Sequence, residues 1–464
     1  MSAFDLAVLG GTLVASTGRS RANAYVREGR VSLIDQGVHA AIETVDATGL
    51  FVMPGMVDTH VHLMDPGDTS REDFPTGTAA AAANGVTTIV EHTHGHPVKT
   101  VLDLNEKLAH LGSRSRIDFG LAAHVWKEHI GDLSGLWEAG VAFFKIFTCT
   151  THGVPAVEGA TMTAVLTEIA RFGGNCLIHC EDESLTAEAE RRLREQGRTD
   201  PGLLIEWRNR PAEQMAVQSV AILARHAAAR ATIAHVSTAE VAALVASARG
   251  SGADLVAEAC PQYLHLREDE VVTEGALRKF TPPARIRNDQ EEGIMWDLLR
   301  DRGFNHISTD HAPSNLDQKS RGSFWDAHFG LPGLDTTLRL LLDAAATGKL
   351  GYEDVVGLYS ESPARRYGLF PRKGHLGIGA DADIVLVDPG QTWQIENADI
   401  ISKAAWSPYA GRRGKGAIMA TYLRGEIIAE AGKPLDRLIG RFLPGEGSET
   451  RDPRSAPERT ADSG

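Results

Sequence analysis

Residues 56–63 read Met-Val-Asp-Thr-His-Val-His-Leu, an apolar stretch that carries two histidines separated by one residue. Successive side chains of a β-strand point to opposite faces, so His60 and His62 are expected to share one face of a strand. Two neutral imidazoles placed in this way can ligate one divalent metal ion. Taken alone, the pattern is equally compatible with a pair of strand histidines that hold no metal.

This stretch is the first of eight apolar runs, which alternate with segments of helical periodicity. Strands that alternate with helices predict a parallel sheet, and eight of them indicate a closed (β/α)₈ TIM barrel of the α/β class. A doubly wound open sheet is less favoured, because no glycine-rich phosphate-binding fingerprint follows the first strand. The eight runs are 56–63, 86–91, 119–125, 142–148, 175–179, 231–236, 254–259 and 305–309.

Short β-prone segments separated by turns lie at both ends of the chain, in residues 1–51 and 374–444. We predict that these two parts build one small β-sandwich beside the barrel, which takes residues 52–373. Residues 445–464 are rich in Ser, Pro, Arg, Glu and Asp and have no apolar periodicity. This tail is predicted to be disordered.

The composition of the 464-residue chain excludes several classes of protein. With 42% hydrophobic and 23% charged residues, general disorder is excluded. The formal net charge of −14 argues against a nucleic-acid-binding protein. No apolar run reaches the roughly 18 residues that a membrane span needs, no secretory signal is recognisable, and the four cysteines are too scattered for a disulfide framework. These features predict a cytoplasmic protein without a membrane partner.

Polar side chains occur near the carboxyl ends of several further predicted strands. Lys145 lies in an otherwise apolar run, where a lysine is costly to bury unless it is paired or neutralised. Carbamylation by CO₂ would turn its amine into a carboxylate that can bridge two metals, whereas a lysine that snorkels outward is the alternative. His179, His235 and Asp310 each end a predicted strand, where TIM barrels keep their active sites. Packing alone does not explain all of these residues.

These residues resemble the binuclear metal centre of the amidohydrolase superfamily. More narrowly, they are similar to its cyclic amidohydrolase branch, which contains allantoinases, hydantoinases (dihydropyrimidinases) and dihydroorotases. The resemblance extends to about residue 444 and is strengthened by short matching segments in the same order. These segments are 52–55 (Val-Met-Pro-Gly), 65–67 (Asp-Pro-Gly), 76–78 (Thr-Gly-Thr), 260–263 (Cys-Pro-Gln-Tyr), 282–285 (Pro-Pro-Ala-Arg), 332–334 (Pro-Gly-Leu) and 381–383 (Asp-Ala-Asp).

The resemblance implies two divalent metal ions, for which zinc is the best match to imidazole and carboxylate ligands. The implied ligands are His60, His62, Lys145, His179, His235 and Asp310. The first two histidines hold one ion and the other two hold the second, while the carbamylated (N6-carboxy) lysine bridges both. The aspartate binds metal and shuttles a proton as a metal-bridging hydroxide opens the carbon–nitrogen bond of a cyclic amide. A homotetramer or homodimer is also implied.

Three positions bear on the substrate. Met64 stands where dihydroorotases typically carry an arginine that holds the substrate carboxylate, which disfavours that activity. Thr150 replaces the oxyanion-stabilising tyrosine of hydantoinases and resembles allantoinases, and Thr281 matches a position whose backbone contacts the substrate ring. We therefore predict an allantoinase-like enzyme that opens allantoin or a related hydantoin or cyclic ureide. A hydantoinase (dihydropyrimidinase) or cyclic imide hydrolase is the alternative, and dihydroorotase is less favoured.

One segment departs from all branches of the family. His92, His94 and His96 follow the second predicted strand, in place of a segment that contains Met-Pro. Substrate hydrogen bonding or an ordinary polar loop is favoured there over a third metal site. A protein of a different functional class, a non-catalytic relative that serves as a scaffold, is disfavoured because every ligand position is retained. A mononuclear hydrolase or deaminase is disfavoured because it would leave Lys145 without a purpose.

Overall fold

The computed structural model describes residues 4–449 of the chain. The strands are β1 (Phe4–Leu9), β2 (Thr12–Ala15), β3 (Gly18–Arg21), β4 (Asn23–Arg27), β5 (Arg30–Asp35), β6 (Ala41–Asp46), β7 (Phe51–Pro54), β8 (Met56–Val61), β9 (Val86–Glu91), β10 (Asp118–Leu121), β11 (Ala123–His124), β12 (Phe144–Phe147), β13 (Asn175–His179), β14 (Arg230–Ile233), β15 (Leu255–Ala259), β16 (His306–Ile307), β17 (Ile384–Gln394), β18 (Arg413–Leu423), β19 (Glu426–Glu430) and β20 (Lys433–Pro434).

The helices lie mainly between the strands from β8 to β17. They are α1 (Phe74–Ala83), α2 (Val101–Leu111), α3 (Leu133–Ala139), α4 (Gly159–Arg171), α5 (Glu183–Glu195), α6 (Leu203–Trp207), α7 (Arg210–Ala227), α8 (Ala239–Gly250), α9 (Gln262–His265), α10 (Glu270–Glu274), α11 (Asp289–Arg300), α12 (Leu316–Ser320), α13 (Thr337–Ala346), α14 (Tyr352–Val356) and α15 (Ser362–Arg366). Short 3₁₀ segments cover Lys127–Asp132, Gly275–Arg278 and Asn397–Asp399, and a π-helical segment covers Gly357–Glu361.

Strands β8 to β16 form the wall of a parallel barrel. β8, β9 and β10 pair in one sheet, and β11 to β16 pair in sequence order in another. The third predicted strand is divided at Ala122, whose N–H donates to the carbonyl of Glu91 while the next residues pair with β12. The barrel closes where the N–H of His62 donates to the carbonyl of His311, 2.8 Å away. The predicted α/β barrel fold is confirmed.

The first barrel helix shows how local sequence places the elements. The side chain of Asp73 accepts a hydrogen bond from the N–H of Thr76 at the start of α1, and Pro75 occupies the first turn, where its missing N–H is harmless. A run of alanines, the best helix former, continues the helix and is buried. Small buried side chains allow α1 to pack closely outside the strands.

The strands of both chain ends share sheets, as predicted. One sheet has the order β20-β19-β18-β17-β7-β2-β3 and so combines both ends, while β5, β4, β1 and β6 form a second. A separate apolar core includes Leu6, Val52 and Leu386. β1 and β2 are separate strands because Gly10 turns the chain between them with a φ of +75°, which glycine adopts without steric penalty. β7 crosses the predicted boundary at residue 51, and the other domain limits stay predictions.

A buried charge network joins the barrel to the sheets of the chain ends. The ammonium of Lys373 donates to Asp118 at 2.6 Å and to Asp383 at 2.7 Å, and Arg424 pairs with the same Asp118 at 2.5 Å. Burial of these charges is tolerated because each has opposite charges in contact. Asp118 begins β10, so the network lies at the end of the barrel opposite to the carboxyl ends of the strands.

The ordered chain extends past the predicted start of the disordered tail. The N–H of Gly445 donates to the carbonyl of Gly140 at 2.9 Å, and Glu446 pairs with Arg230 at 2.8 Å. The predicted start of the disordered tail at residue 445 is therefore too early, since contacts with the barrel hold Gly445 and Glu446. The rest of the predicted tail, 450–464, lies outside the described residues. Within 4–449, no helix has the length and apolar character that crossing a bilayer requires.

Candidate metal centre

The carboxyl ends of the barrel strands bring all six predicted ligands together. β8 carries His60 and leads directly to His62, β12 carries Lys145, and β13 ends at His179. His235 and Asp310 follow β14 and β16 within three residues. The five side chains other than Asp310 are buried, and 15% of the Asp310 side chain is exposed.

The inner atoms of these side chains face one common space. Oδ1 of Asp310 lies 3.2 Å from Nε2 of His60 and 3.4 Å from Nε2 of His62. Nζ of Lys145 lies 3.1 Å from the same nitrogen of His60. Nδ1 of His179 lies 2.9 Å from Nε2 of His235. These spacings allow the four imidazoles and the carboxylate to ligate closely spaced cations.

The outer ring nitrogens of three histidines are held by hydrogen bonds. Nδ1 of His60 donates to Glu258 at 2.7 Å, and Nδ1 of His62 donates to the backbone carbonyl of His92 at 2.6 Å. Nε2 of His179 donates to Glu181 at 2.9 Å. This arrangement leaves the lone pair of each inner nitrogen directed at the common space, as is usual for histidines that bind metal. The residues therefore fit a transition-metal centre.

Comparisons with known proteins identify the family of this chain. Residues 51–428 match the model of the amidohydrolase family. The chain belongs to the amidohydrolase family. It is 36% identical to an allantoinase of Rubrobacter xylanophilus over 96% of this chain and 98% of the relative. It is 30% identical to an L-hydantoinase of Paenarthrobacter aurescens over 95% and 98% of the two chains.

Solved structures give the same result. The L-hydantoinase (dihydropyrimidinase) from Arthrobacter aurescens superposes on this amidohydrolase with a TM-score of 0.90 and 29% identity, covering 95% of this chain and all of that chain. A D-hydantoinase structure superposes with a TM-score of 0.88 and 30% identity, over 95% and 98% of the two chains. The predicted family is therefore confirmed.

Two of the candidate ligands in this amidohydrolase have a left-handed backbone. His235 has a φ of +37° and Asp310 has a φ of +51°. Such conformations are uncommon for residues other than glycine and persist only where the surrounding structure imposes them. At both positions the chain turns sharply as it leaves a barrel strand, which directs the side chain over the end of the barrel.

Burial and neighbouring charges set the protonation of the candidate ligands. Burial lowers the pKa of Lys145 to about 8, so its amine is more readily neutral than that of an exposed lysine. Burial raises the pKa of Asp310, but His60, His62 and His235 lower it more, so that the pKa lies below its ordinary value. Asp310 is therefore a carboxylate at neutral pH.

Sequence reasoning missed two buried carboxylates that hold the ligands. Glu258 contacts His306 as well as His60. Burial raises the pKa of Glu258, but these two imidazoles lower it more, so that the pKa lies well below its ordinary value. Glu181 accepts from Thr281 at 2.6 Å and from Arg208 at 3.3 Å. Burial raises the pKa of Glu181, but Arg208 and His179 lower it to about 2. The argument used for Lys145, that a charged residue in an apolar strand is costly to bury, would also have identified Glu258.

Of the three residues predicted to bind substrate, only one lies at the space above the candidate ligands. Thr281 lines the space above the ligands. Met64 is buried with a φ of +54°, and Thr150 is exposed and donates to Glu183 at 2.8 Å. Within the described chain, neither Met64 nor Thr150 lines this space, so the structure does not bring either residue to the site. His94, from the segment for which substrate hydrogen bonding or a polar loop was favoured, also lines this space. The part of the wall that sequence reasoning did not identify consists of Phe147, His152, Phe280, Ala312, Phe329 and Gly330.

Replacing Glu258 by glutamine is expected to weaken metal binding by about 10–100-fold, because His60 then loses the charged acceptor that orients its ring. Metal affinity is measured by competition with a chelator, followed by elemental analysis. The matched control is Glu213→Gln, which neutralises another buried carboxylate, one that accepts from Ser237 and touches none of the six ligands in the described hydrogen bonds. Equal affinities of Glu258→Gln and wild type would show that Glu258 does not support the centre.

Proposed function

We propose that this protein is a binuclear, zinc-dependent cyclic amidohydrolase that opens the ring of allantoin or a closely related hydantoin. The broader statement follows from family membership: the chain is a hydrolase of carbon–nitrogen bonds in cyclic amides, with allantoinases and hydantoinases as full-length relatives. The observation that carries the proposal is the convergence of six ligand side chains at one end of the barrel, with the outer nitrogens of three of their imidazoles anchored.

The proposed roles follow from the atoms that face the common space. His60 and His62 would hold one ion, and His179 and His235 the other. Lys145 contacts His60 and interacts electrostatically with His179 and His235, and as a carbamate it would supply a bridging carboxylate, for which its buried and more readily neutral amine is suited. When bound, such ions polarise the carbonyl to be attacked and lower the pKa of water between them to about 7.

Asp310 is suited to move the proton. Its Oδ1 lies between the two histidines of the first pair, and it remains ionised because their imidazoles lower its pKa. We propose that this oxygen accepts a proton from the attacking water and returns it to the ring nitrogen as the carbon–nitrogen bond breaks. The exposed 15% of this side chain lies where substrate can approach.

The lining of the space favours a neutral ring as substrate. Among the described residues that line it there is no arginine, so a substrate carboxylate would lack the bidentate partner that it prefers. Allantoin and hydantoins carry no carboxylate, whereas dihydroorotate does. Hydrogen-bonding groups are supplied by Thr281 and by the imidazoles of His94 and His152.

A hydantoin or cyclic imide with a flat substituent is the second candidate. His94 stacks on His152 with ring centroids 4.6 Å apart, and Phe147 and Phe329 contact these rings at 5.4 and 5.8 Å. Such an aromatic wall can pack against a planar group. The similarity to solved hydantoinase structures supports this alternative as well.

A hydrolysis screen with the metal-loaded protein tests the proposal. The substrates are allantoin, hydantoin, dihydrouracil, dihydroorotate, succinimide and phthalimide, with Asp310→Asn as the inactive control. We expect kcat/KM to be highest for allantoin, with no turnover of dihydroorotate. A higher value for phthalimide, the substrate of the screen with a flat aromatic group, would replace allantoin by the second candidate. No hydrolysis by fully loaded protein would favour the scaffold reading. Cytoplasmic location and a homo-oligomer stay predictions.

A further inference from the structure

A second group of histidines lies beside the six candidate ligands. His92 directly follows β9, His124 ends β11, and His94 lies two residues beyond His92. The first two are each 1% exposed, and His94 is half-buried, whereas His96 is exposed. We refer to His92, His94 and His124 as the imidazole cluster.

The cluster has buried ring nitrogens that form no hydrogen bond with any described residue. Within residues 4–449, Nδ1 and Nε2 of both His92 and His124 have no hydrogen-bond partner, and neither does Nδ1 of His94. Most buried polar atoms in proteins are paired, so five unpaired nitrogens in one place indicate a ligand for them. A neutral imidazole offers a lone pair, which a cation accepts.

The spacing of the three rings fits a shared ion. Ring centroids are 5.7 Å apart for His92 and His124, 5.6 Å for His94 and His124, and 6.2 Å for His92 and His94. With metal–nitrogen bonds of about 2 Å, two imidazoles on a tetrahedral ion have centroids about 5 Å apart. The three rings form a nearly equilateral triangle whose sides are somewhat longer than this spacing, so the rings must move closer together to share an ion.

We propose that the imidazole cluster is a further cation site, which adjoins the six-ligand centre through His92 and binds one divalent transition metal ion such as Zn²⁺. Imidazole ligands suit Zn²⁺, Cu²⁺ and Ni²⁺, whereas Mg²⁺ and Ca²⁺ require oxygen ligands, which the cluster does not supply. This site goes beyond the proposed hydrolysis, to which the cluster contributes no metal ligand, although His94 also lines the space proposed for the substrate.

The new site adjoins the six-ligand centre without sharing its carboxylate. The ring of His62 lies 4.3 Å from that of His92 and 4.1 Å from that of His94, measured between centroids. The centre has the negative charge of Asp310 to hold its ions, and the cluster is made of neutral imidazoles. The cluster ion is therefore expected to bind more weakly, to enter last and to leave first.

Metal stoichiometry tests the proposal. Apoprotein is loaded with Zn²⁺ in the presence of bicarbonate, desalted, and its metal content is measured by elemental analysis. We expect about three ions per chain in wild type and about two in both His124→Gln and His92→Gln. Crystals of the loaded wild type should show anomalous scattering from zinc between the three rings. Thermal unfolding confirms that each variant is folded, and His94→Gln serves as a third variant.

A matched control variant tests whether loss of metal is specific to the imidazole cluster or follows from replacing any buried histidine. His265 also has two buried ring nitrogens without a partner in the described chain, but its aromatic neighbours there are Trp296 and Tyr409 rather than histidines. His265→Gln should therefore keep the metal content of wild type. The same zinc content in wild type and in the three cluster variants, or a loaded crystal without a zinc peak between the rings, overturns the proposal. Neither measurement depends on which substrate is hydrolysed, so failure of the proposed activity is recognised separately.

Discussion

Replacing Lys145 by alanine is expected to abolish hydrolysis and to lower the occupancy of the metal centre at the same time. Nζ of Lys145 lies 3.1 Å from Nε2 of His60 and its charge acts on His179 and His235, and the proposed carbamate would bridge the ions there. Loss of the bridge removes the electrostatic contribution of the ions, which amounts to several kcal/mol, so kcat should fall by at least about 10³-fold. Steady-state kinetics and elemental analysis of the same preparation measure the two effects.

Short carboxylic acids provide a sharper test of the bridge. In Lys145→Ala, acetate or formate can enter the space left by the side chain and place a carboxylate there, so partial recovery of activity is expected. Lys145→Arg is the matched control: it keeps a long cationic side chain but cannot form the carbamate, and it leaves no space for an added acid. It should be inactive and should not be rescued. Full activity in Lys145→Ala would remove the lysine from the mechanism.

Replacing Asp310 by asparagine is expected to lower kcat by about 10²–10⁴-fold while much of the metal is retained. Asparagine keeps an oxygen near His60 and His62 but cannot accept and return a proton. The two histidine pairs do not depend on Asp310 for their outer hydrogen bonds, which end on Glu258, the carbonyl of His92 and Glu181. Kinetics and metal content measured together therefore separate proton transfer from metal binding.

A second buried aspartate provides the control for this substitution. Asp335 is buried, with a pKa raised to about 6 by burial, and accepts from the N–H of Ile401 at 2.8 Å. It contacts none of the candidate ligands among the described hydrogen bonds, so Asp335→Asn should leave kcat within about threefold of wild type. If Asp310→Asn turns over substrate as fast as wild type, another residue carries the proton.

Local features allowed six ligand positions to be predicted. His60 and His62 followed from the two-residue period of a strand, and Lys145 followed from the cost of burying an amine in an apolar run. His179, His235 and Asp310 followed from their place at strand ends, and the resemblance to the amidohydrolase superfamily joined the six into one ligand set. The same reasoning could have identified Glu258, which lies in the predicted run 254–259. Thr150 was different, because its match to a family position did not determine that its side chain would donate to Glu183.

The sequence by itself determined the alternation of strands and helices, the barrel, and the end of the barrel at which the ligands lie, because side-chain period and apolar runs are local properties. Only the tertiary structure decided which side chains from different strands meet at that end of the barrel. Glu258 is 198 residues from His60 in the chain yet holds its ring, and His124 joins His92 only because β9 and β11 are brought together in the closed wall. Such partners depend on strand register and barrel closure, which fix distances that periodicity does not contain.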